Sequence, residues 1–266
     1  MDSLENLGKA AKTVSRRLAS SSGGRRNLAI QKIATALIDS EQEIMSENSK
    51  DISNGRNKGL SEAMLDRLII TKESIHGMSS DALKVANLDD PVGEMIEMKT
   101  MENGLQVGRK RVPLGVIGVI YESRPNVTVD ISVLCLKSGN AVILRGGSEA
   151  FYSNQILAKV IRDAVSKADL PKDSIQIVQS TDRKLVSEML KLDQYIDLMI
   201  PRGGQNLVNR VASEAKMPSI TGGVGVCHTY VDNEASLSMA VEVVNNARSS
   251  GHRSVMHWIP FWFILL

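Results

Sequence analysis

Two short apolar runs, residues 115–121 and 141–144, separated by one helix-length segment, constrain this chain more than any other feature. They are rich in Val and Ile and do not alternate with polar residues, which is how strands covered on both faces of a parallel sheet read. Pro125 stands where a helix can start and Gly139 where one can stop, so the spacing predicts a crossover helix over 127–138. A strand–helix–strand unit of this kind closes right-handed. The alternation continues with strands near 175–178 and 196–200 and helices near 153–166, 183–190 and 205–215. The expected class is α/β with a doubly wound parallel sheet.

The flanks read differently. Residues 4–86 carry a helical pattern: Leu28, Ile33 and Leu37 recur at helical spacing, and Ser61 and Thr71 are candidate N-caps, each followed by acidic residues. This predicts a helical layer. Residues 95–100 and 105–112 flank Glu102, Asn103 and Gly104, and the Asn-Gly pair signals a β-hairpin because both residues tolerate positive φ. Beyond the core, Gly222, Gly223 and Gly225 read as a turn or hinge, followed by a strand over 226–231 and a helix over 237–246, where a second domain is expected to begin. The last nine residues, WIPFWFILL, hold both tryptophans and two of the three phenylalanines. That is too short for a membrane span, which takes about 20 apolar residues. It reads as an interfacial segment, a late strand or aberrant translated sequence.

Charge and cysteine usage narrow the partners. The net charge of +2 arises from 32 basic and 30 acidic residues spread along the chain, which argues against nucleic acid. The two cysteines, Cys135 and Cys227, give neither a disulfide framework nor a zinc spacing, and the N-terminus lacks the apolar core of a secretory signal. The expectation is a cytoplasmic protein with no membrane partner. His76, His252 and His257 have no metal-ligand spacing, and no metal site is expected.

Candidate site residues cluster where the strands end. Arg145, Gly146, Gly147 and Ser148 form a Gly-rich turn after a parallel strand, suited to a nucleotide phosphate because backbone N–H groups at a helix N-terminus point outward; an ordinary loop is the alternative. Arg145 adds a charge for an adenosine 2′-phosphate, which would favour NADP over NAD, or is a surface arginine. Pro201, Arg202, Gly203 and Gly204 form a second loop of the same kind, and two on one sheet edge favour a ligand crevice. Tyr121, Glu122, Ser123, Arg124, Pro125 and Asn126 occupy another strand end, with Ser123 and Arg124 as candidate substrate contacts. Asn126 either donates its amide to a developing oxyanion or caps the following helix. Cys227 and His228 are sequence neighbours and so point in different directions on a strand, which makes Cys227 a small buried hydrophobe rather than half of a nucleophilic pair. Cys135, on the apolar face of the crossover helix, reads as core.

The segments RVPLGVIGVIYESRPNVTVD and LKSGNAVILRGGSEA, with LDQYIDLMIPRGGQNLV and GVGVCHTYVD further on, resemble the gamma-glutamyl phosphate reductases (glutamate-5-semialdehyde dehydrogenases) of the aldehyde dehydrogenase superfamily. The resemblance runs to about Ala247. It implies a Rossmann-like cofactor domain, NADPH-dependent reduction of the acyl phosphate to glutamate semialdehyde in proline biosynthesis, and a cytoplasmic homo-oligomer. It also implies a cysteine thiolate that displaces phosphate, with Asn126 at the position of the oxyanion-hole asparagine and Arg145, Gly147, Ser148 and Glu149 at the cofactor-facing turn. On that basis residues 1–93 are the helical part of the cofactor domain, 94–112 an oligomerisation-type hairpin, 113–222 the dinucleotide-binding core, 223–247 the start of the catalytic domain and 248–266 an aberrant tail. Where the family carries a motif like PSVCNALETLLVH with its nucleophilic Cys, this sequence reads RSSGHRSVMHWIPFWFILL, with Met256 near the nucleophile's place. The expectation is a truncated or frameshifted reductase, inactive on its own, with a non-catalytic dinucleotide-binding fragment or a non-functional truncated product as the alternatives.

Overall fold

In the computed structural model, which describes residues 3–222 and 229–249, four parallel strands form the centre: β3 (Val116–Tyr121), β4 (Ala141–Arg145), β5 (Ile175–Ile177) and β6 (Leu198–Arg202), in the order β5-β4-β3-β6. Every residue of β3 and β4 is buried, as their unbroken apolar runs require. Between them α6 (Asn126–Lys137) makes the crossover, and Gly139 ends it at φ +73. β6 lies two residues later than the apolar run suggests. Ile196 is held in a turn, its N–H donating to Leu192 O at 2.9 Å, and the strand runs on through Pro201, which an edge strand tolerates because no ladder bond needs its missing N–H.

The side chains of β3 alternate between two cores. Ile117, Val119 and Tyr121 face one, packed by α2 (Gly23–Asp39), α3 (Glu41–Asn57), α5 (Lys72–Asn87), α6 and α7 (Phe151–Ser166). Val116 and Ile120 face the other, with α1 (Leu4–Ala19), α8 (Lys184–Met189) and α9 (Gln205–Glu214). The N-terminal helices are therefore not a single layer: α1 crosses to the opposite face, where Leu4 and Ala11 are buried and Lys12 pairs with Asp197 at 2.6 Å. Within α2 the buried stripe is Ala29, Ile30, Ile33, Ala34 and Leu37, whereas Leu28 is 45% exposed. The expected spacing found the right face but placed one residue beside it.

Ser61 starts α4 (Glu62–Leu68), and Thr71 caps α5 through a reciprocal pair with Ser74. At the other end of α5, buried Lys137 donates to Ala86 O, Leu88 O and Asn27 Oδ1, so a cation sits on carbonyls at a helix C-terminus. The hairpin β1 (Met95–Thr100) and β2 (Gln106–Lys110) projects away from the cores with every residue exposed. Its turn needs only one left-handed residue. Gly104 has φ +82, and Asn103 contributes its Oδ1, which accepts from Leu105 N–H at 3.1 Å. The helix α10 (Leu237–Ser249) is present; the strand expected over 226–231 lies partly outside the described residues, and Thr229–Val231 are not in a strand. Among the described residues no helix is long and apolar enough to cross a membrane.

Candidate active site

The strand order fixes where a ligand can sit. The chain passes from β3 outward to β4 and β5, then returns to β6 on the other side of β3, so the crevice opens between the C-terminal ends of β3 and β6. Glu122 and Ser123 leave β3 on one side of it, and Arg202, Gly203 and Gly204 leave β6 on the other, all three of the latter exposed. The loops meet: Glu122 N–H donates to Arg202 O at 3.1 Å, and Gly204 N–H donates to Glu122 Oε2 at 2.9 Å.

Ser123 adopts φ +48, a left-handed conformation that a non-glycine residue holds only when its surroundings enforce it. The enforcing group is Glu149. Its Oε1 accepts from Ser123 N–H at 2.6 Å and Ser123 Oγ at 3.0 Å, and Glu149 itself rides on the single 3-10 turn Ser148–Ala150 after β4. One carboxylate thus ties the turn expected to face cofactor to the loop expected to face substrate.

The β4–α7 turn is built differently from a free phosphate cradle. The first N–H groups of α7 are taken by Asp51 on α3, whose carboxylate accepts from Tyr152 N–H at 3.1 Å, Ser153 N–H at 2.7 Å and Ser153 Oγ at 2.6 Å. Gly147 is buried, and Gly146 is glycine because a Cβ there would strike Asn154 Nδ2. Burial pushes Asp51 up from the ordinary carboxylate range, against the opposing pull of those three hydrogen bonds. A raised folded-state pKa means protonation favours the folded state, so this contribution is present below the ordinary value and lost as pH rises through the raised one. The stability difference between the native chain and Asp51→Asn should therefore shift in favour of the native chain as pH falls from 7 to about 4, the ordinary carboxylate range, measured as urea midpoints. A pH-independent difference contradicts the assignment.

Arg145 is not a surface arginine. It is 8% exposed, Nη2 reaches Thr181 O at 3.3 Å, and Nε has no acceptor. Burial lowers its pKa, opposed by the nearby Glu149 and Glu122 and reinforced by Arg183. Beside it lies a cleft of about 580 Å³ lined by Asp51, Lys58, Ser148, Glu149, Thr181 and Arg183, among others. Lys58 and Arg183 are exposed and form no side-chain ion pair or hydrogen bond among the described residues. Neither cation was singled out from sequence. Arg183 follows β5 on the same sheet edge and was findable by that rule; Lys58 is brought there only by tertiary packing of α3.

Asn126 is the first residue of α6, with Pro125 at the cap position, so its side chain does not cap the helix. It is exposed, and Nδ2 donates to Asp130 Oδ2 at 3.0 Å. Burial raises the Asp130 pKa, the Asn126 hydrogen bond opposes this, and Asp81 adds to the rise. Asn126, Asp130, Asp81 and Arg67 line a separate hollow of about 250 Å³. Asn126 therefore does not share the cleft of Arg183; Ser123 and Glu149 connect the two places. Ser123 and Arg124 are half-buried. Cys135 is 4% exposed, and burial pushes its thiol up to about 12. Cys227, His228, His252, Met256, His257, Gly223 and Gly225 lie outside the described residues. His76 faces Glu41 at 3.4 Å.

An open parallel sheet with this strand order, helices on both faces and a Gly loop at its switch point defines a doubly wound α/β protein with a ligand crevice at the strand ends. The chain belongs to the aldehyde dehydrogenase family, whose model matches residues 2–252. Among curated relatives it is similar to the gamma-glutamyl phosphate reductases of Halothermothrix orenii, 52% identical over 242 residues, and of Vibrio vulnificus, 50% identical over 246. These alignments cover 91% and 92% of this chain but 58% and 59% of the relatives. Among solved structures, the gamma-glutamyl phosphate reductase of Thermotoga maritima superposes with a TM-score of 0.86 at 42% identity, covering 93% of this chain and 60% of that one. The Saccharomyces cerevisiae reductase gives 0.77 at 31%, covering 94% and 64%. The chain thus spans about three-fifths of the length of the relatives it matches.

Proposed function

We propose that this chain provides the NADP-binding platform for reduction of L-gamma-glutamyl phosphate to glutamate-5-semialdehyde and phosphate, a step of proline biosynthesis in the cytoplasm, in a homo-oligomer. What carries this reading is identity of 49–52% to curated gamma-glutamyl phosphate reductases over nine-tenths of the chain. The family implies a nicotinamide cofactor. The sheet edge fits such a group: the Arg202, Gly203 and Gly204 loop is exposed at the switch point, Arg145 is buried with its Nε orphaned, and Arg183 and Lys58 offer unpaired positive charge beside it. When bound, the nicotinamide supplies the hydride. In this chain Asp130 holds one hydrogen of the Asn126 amide and leaves the second for an oxyanion, and Glu149 fixes the Ser123 loop next to it.

Arg145 alone does not account for a preference for NADP, because its guanidinium is largely buried. Arg183 and Lys58 supply the exposed charge that an adenosine 2′-phosphate would meet. In a fluorescence titration the native chain should bind NADPH more tightly than NADH, and Arg183→Gln and Lys58→Gln should each weaken NADPH about tenfold, the worth of one charge-assisted contact, while leaving NADH unchanged. No saturable change with NADPH at millimolar concentration would refute the cofactor assignment.

A second reading, dinucleotide binding without chemistry by this chain alone, is favoured by the inert setting of Cys135.

A further inference from the structure

We propose that Glu122 is a built-in occupant of the cofactor's phosphate seat, a carboxylate that the dinucleotide must displace and that sets how tightly the chain binds it. The inference rests on the dinucleotide reading of this same site.

Three observations converge on Glu122. Its Oε2 accepts the N–H of Gly204, the residue that opens α9, at 2.9 Å, so an anionic group already stands where the positive end of that ten-residue helix faces the crevice. Gly203 is glycine for the same reason: a Cβ on it would strike the Glu122 carboxylate, which lies across the loop. The Glu122 charge also reaches Arg145, a buried arginine whose Nη2 donates to Thr181 O at 3.3 Å. An exposed Gly loop and the start of α9 address one small volume, and the group that now fills it is a side chain of the protein. Glu122 is itself exposed, in a short loop leaving β3, so it can swing away by side-chain rotation without disturbing the sheet.

The chemistry of the displacement follows from charge. A pyrophosphate brings two negative charges to a place where a carboxylate already satisfies Gly204 N–H. Either the carboxylate leaves, giving up that hydrogen bond, or the two anions share the site at a repulsive cost. Both outcomes make the native chain a weaker binder than one with a neutral residue at 122. Glu149 does not compete in this way, because its carboxylate is spent on Ser123 N–H and Oγ.

The test is an NADPH titration of the full chain and of Glu122→Gln, which keeps the size and removes the charge, with Glu102→Gln on the exposed hairpin tip as control. The expected result is NADPH binding tightened about tenfold by Glu122→Gln, NADH tightened equally because the pyrophosphate is common to both, and no change in the control. Inorganic pyrophosphate should compete better against the variant by the same factor. Unchanged or weaker NADPH binding by a folded Glu122→Gln, whatever its melting temperature, would overturn the proposal and show a purely structural cap. A measurement on the native chain covers the case of a misfolded variant: the Glu122 carboxyl carbon resonance should move on NADPH addition, and a resonance that stays put while NADPH saturates would overturn the proposal equally. Absence of saturable binding by both proteins would refute the dinucleotide reading, and this inference with it; a native chain that binds while Glu122→Gln is unchanged refutes only the role of Glu122.

Discussion

Asp90→Ala is expected to lower the unfolding free energy by about 3 kcal/mol, the cost of leaving a buried guanidinium without its carboxylate. Arg26 is 1% exposed, and its Nη2 donates to both carboxylate oxygens of Asp90 at 2.8 and 2.7 Å, while Nη1 donates to Ser21 O. The pair ties the start of α2 to the segment that follows α5, and Asp90 also accepts from Val92 N–H at 3.0 Å before the hairpin begins. Two features locate the cost on the arginine. Asp90 retains 35% of its side-chain exposure, so its own desolvation is small, whereas Arg26 has nowhere to find water and already carries an unpartnered Nε. The neighbouring Gly23 is constrained too, because a Cβ there would strike Asp90 Oδ2. Urea unfolding followed by circular dichroism measures the loss. The double variant Arg26→Met with Asp90→Ala should recover most of it, since a buried pair replaced by apolar volume is close to neutral. A loss below about 1 kcal/mol for Asp90→Ala would show that Ser21 O and solvent suffice for the guanidinium.

This pair illustrates what the sequence hides. Residues 26 and 90 lie far apart, and nothing in local periodicity marks an arginine on α2 as fully buried. The strands of the parallel sheet were legible because burial on both faces leaves an unbroken apolar run, and the crossover helix was legible because Pro125 and Gly139 punctuate it. The hairpin was legible from Asn103 and Gly104, although only Gly104 adopts positive φ. By contrast the side of the sheet that α1 covers is a property of packing, and its amphipathic spacing is the same whichever face it chooses.

The site divides along the same line. The Gly loops after β4 and β6 could be placed at one sheet edge from the order of elements, and so could Asn126. What those loops do locally depends on groups from elsewhere. Asp51, a hundred residues upstream, takes the Tyr152 and Ser153 N–H groups at the start of α7, while Glu149 spends its carboxylate on Ser123. Arg145 looked like a free cation because its burial is set by neighbours that no window around it contains. Lys58 acquires interest only once α3 and the end of β5 are side by side at the cleft, whereas Arg183 follows β5 on the same sheet edge.

For chemistry the decisive residue is the nucleophile, and the expected result is that the purified chain turns over glutamate-5-semialdehyde with NADP and phosphate no faster than the background reaction. Removing the nucleophile of a covalent mechanism costs on the order of a millionfold in kcat. The resemblance implies a thiolate nucleophile, and the sequence offers two cysteines. Cys135 cannot serve. Its thiol is enclosed in the core between α6 and its neighbours, and with burial pushing it up to about 12 it stays protonated at neutral pH. Iodoacetamide should accordingly leave Cys135 unmodified in the folded chain and alkylate it on unfolding in urea, as mass spectrometry of the digested protein would show. Cys227 sits in GVGVCHTYVD, which does not match the nucleophile's motif, so Cys227→Ser is expected to leave the background rate unchanged. Robust turnover by the native chain, abolished by Cys227→Ser and untouched by Cys135→Ser, would assign the nucleophile to Cys227 and overturn the expectation. Background turnover together with saturable NADPH binding would instead make the β3–β6 crevice a cofactor platform whose chemistry needs a thiolate that neither cysteine of this chain supplies.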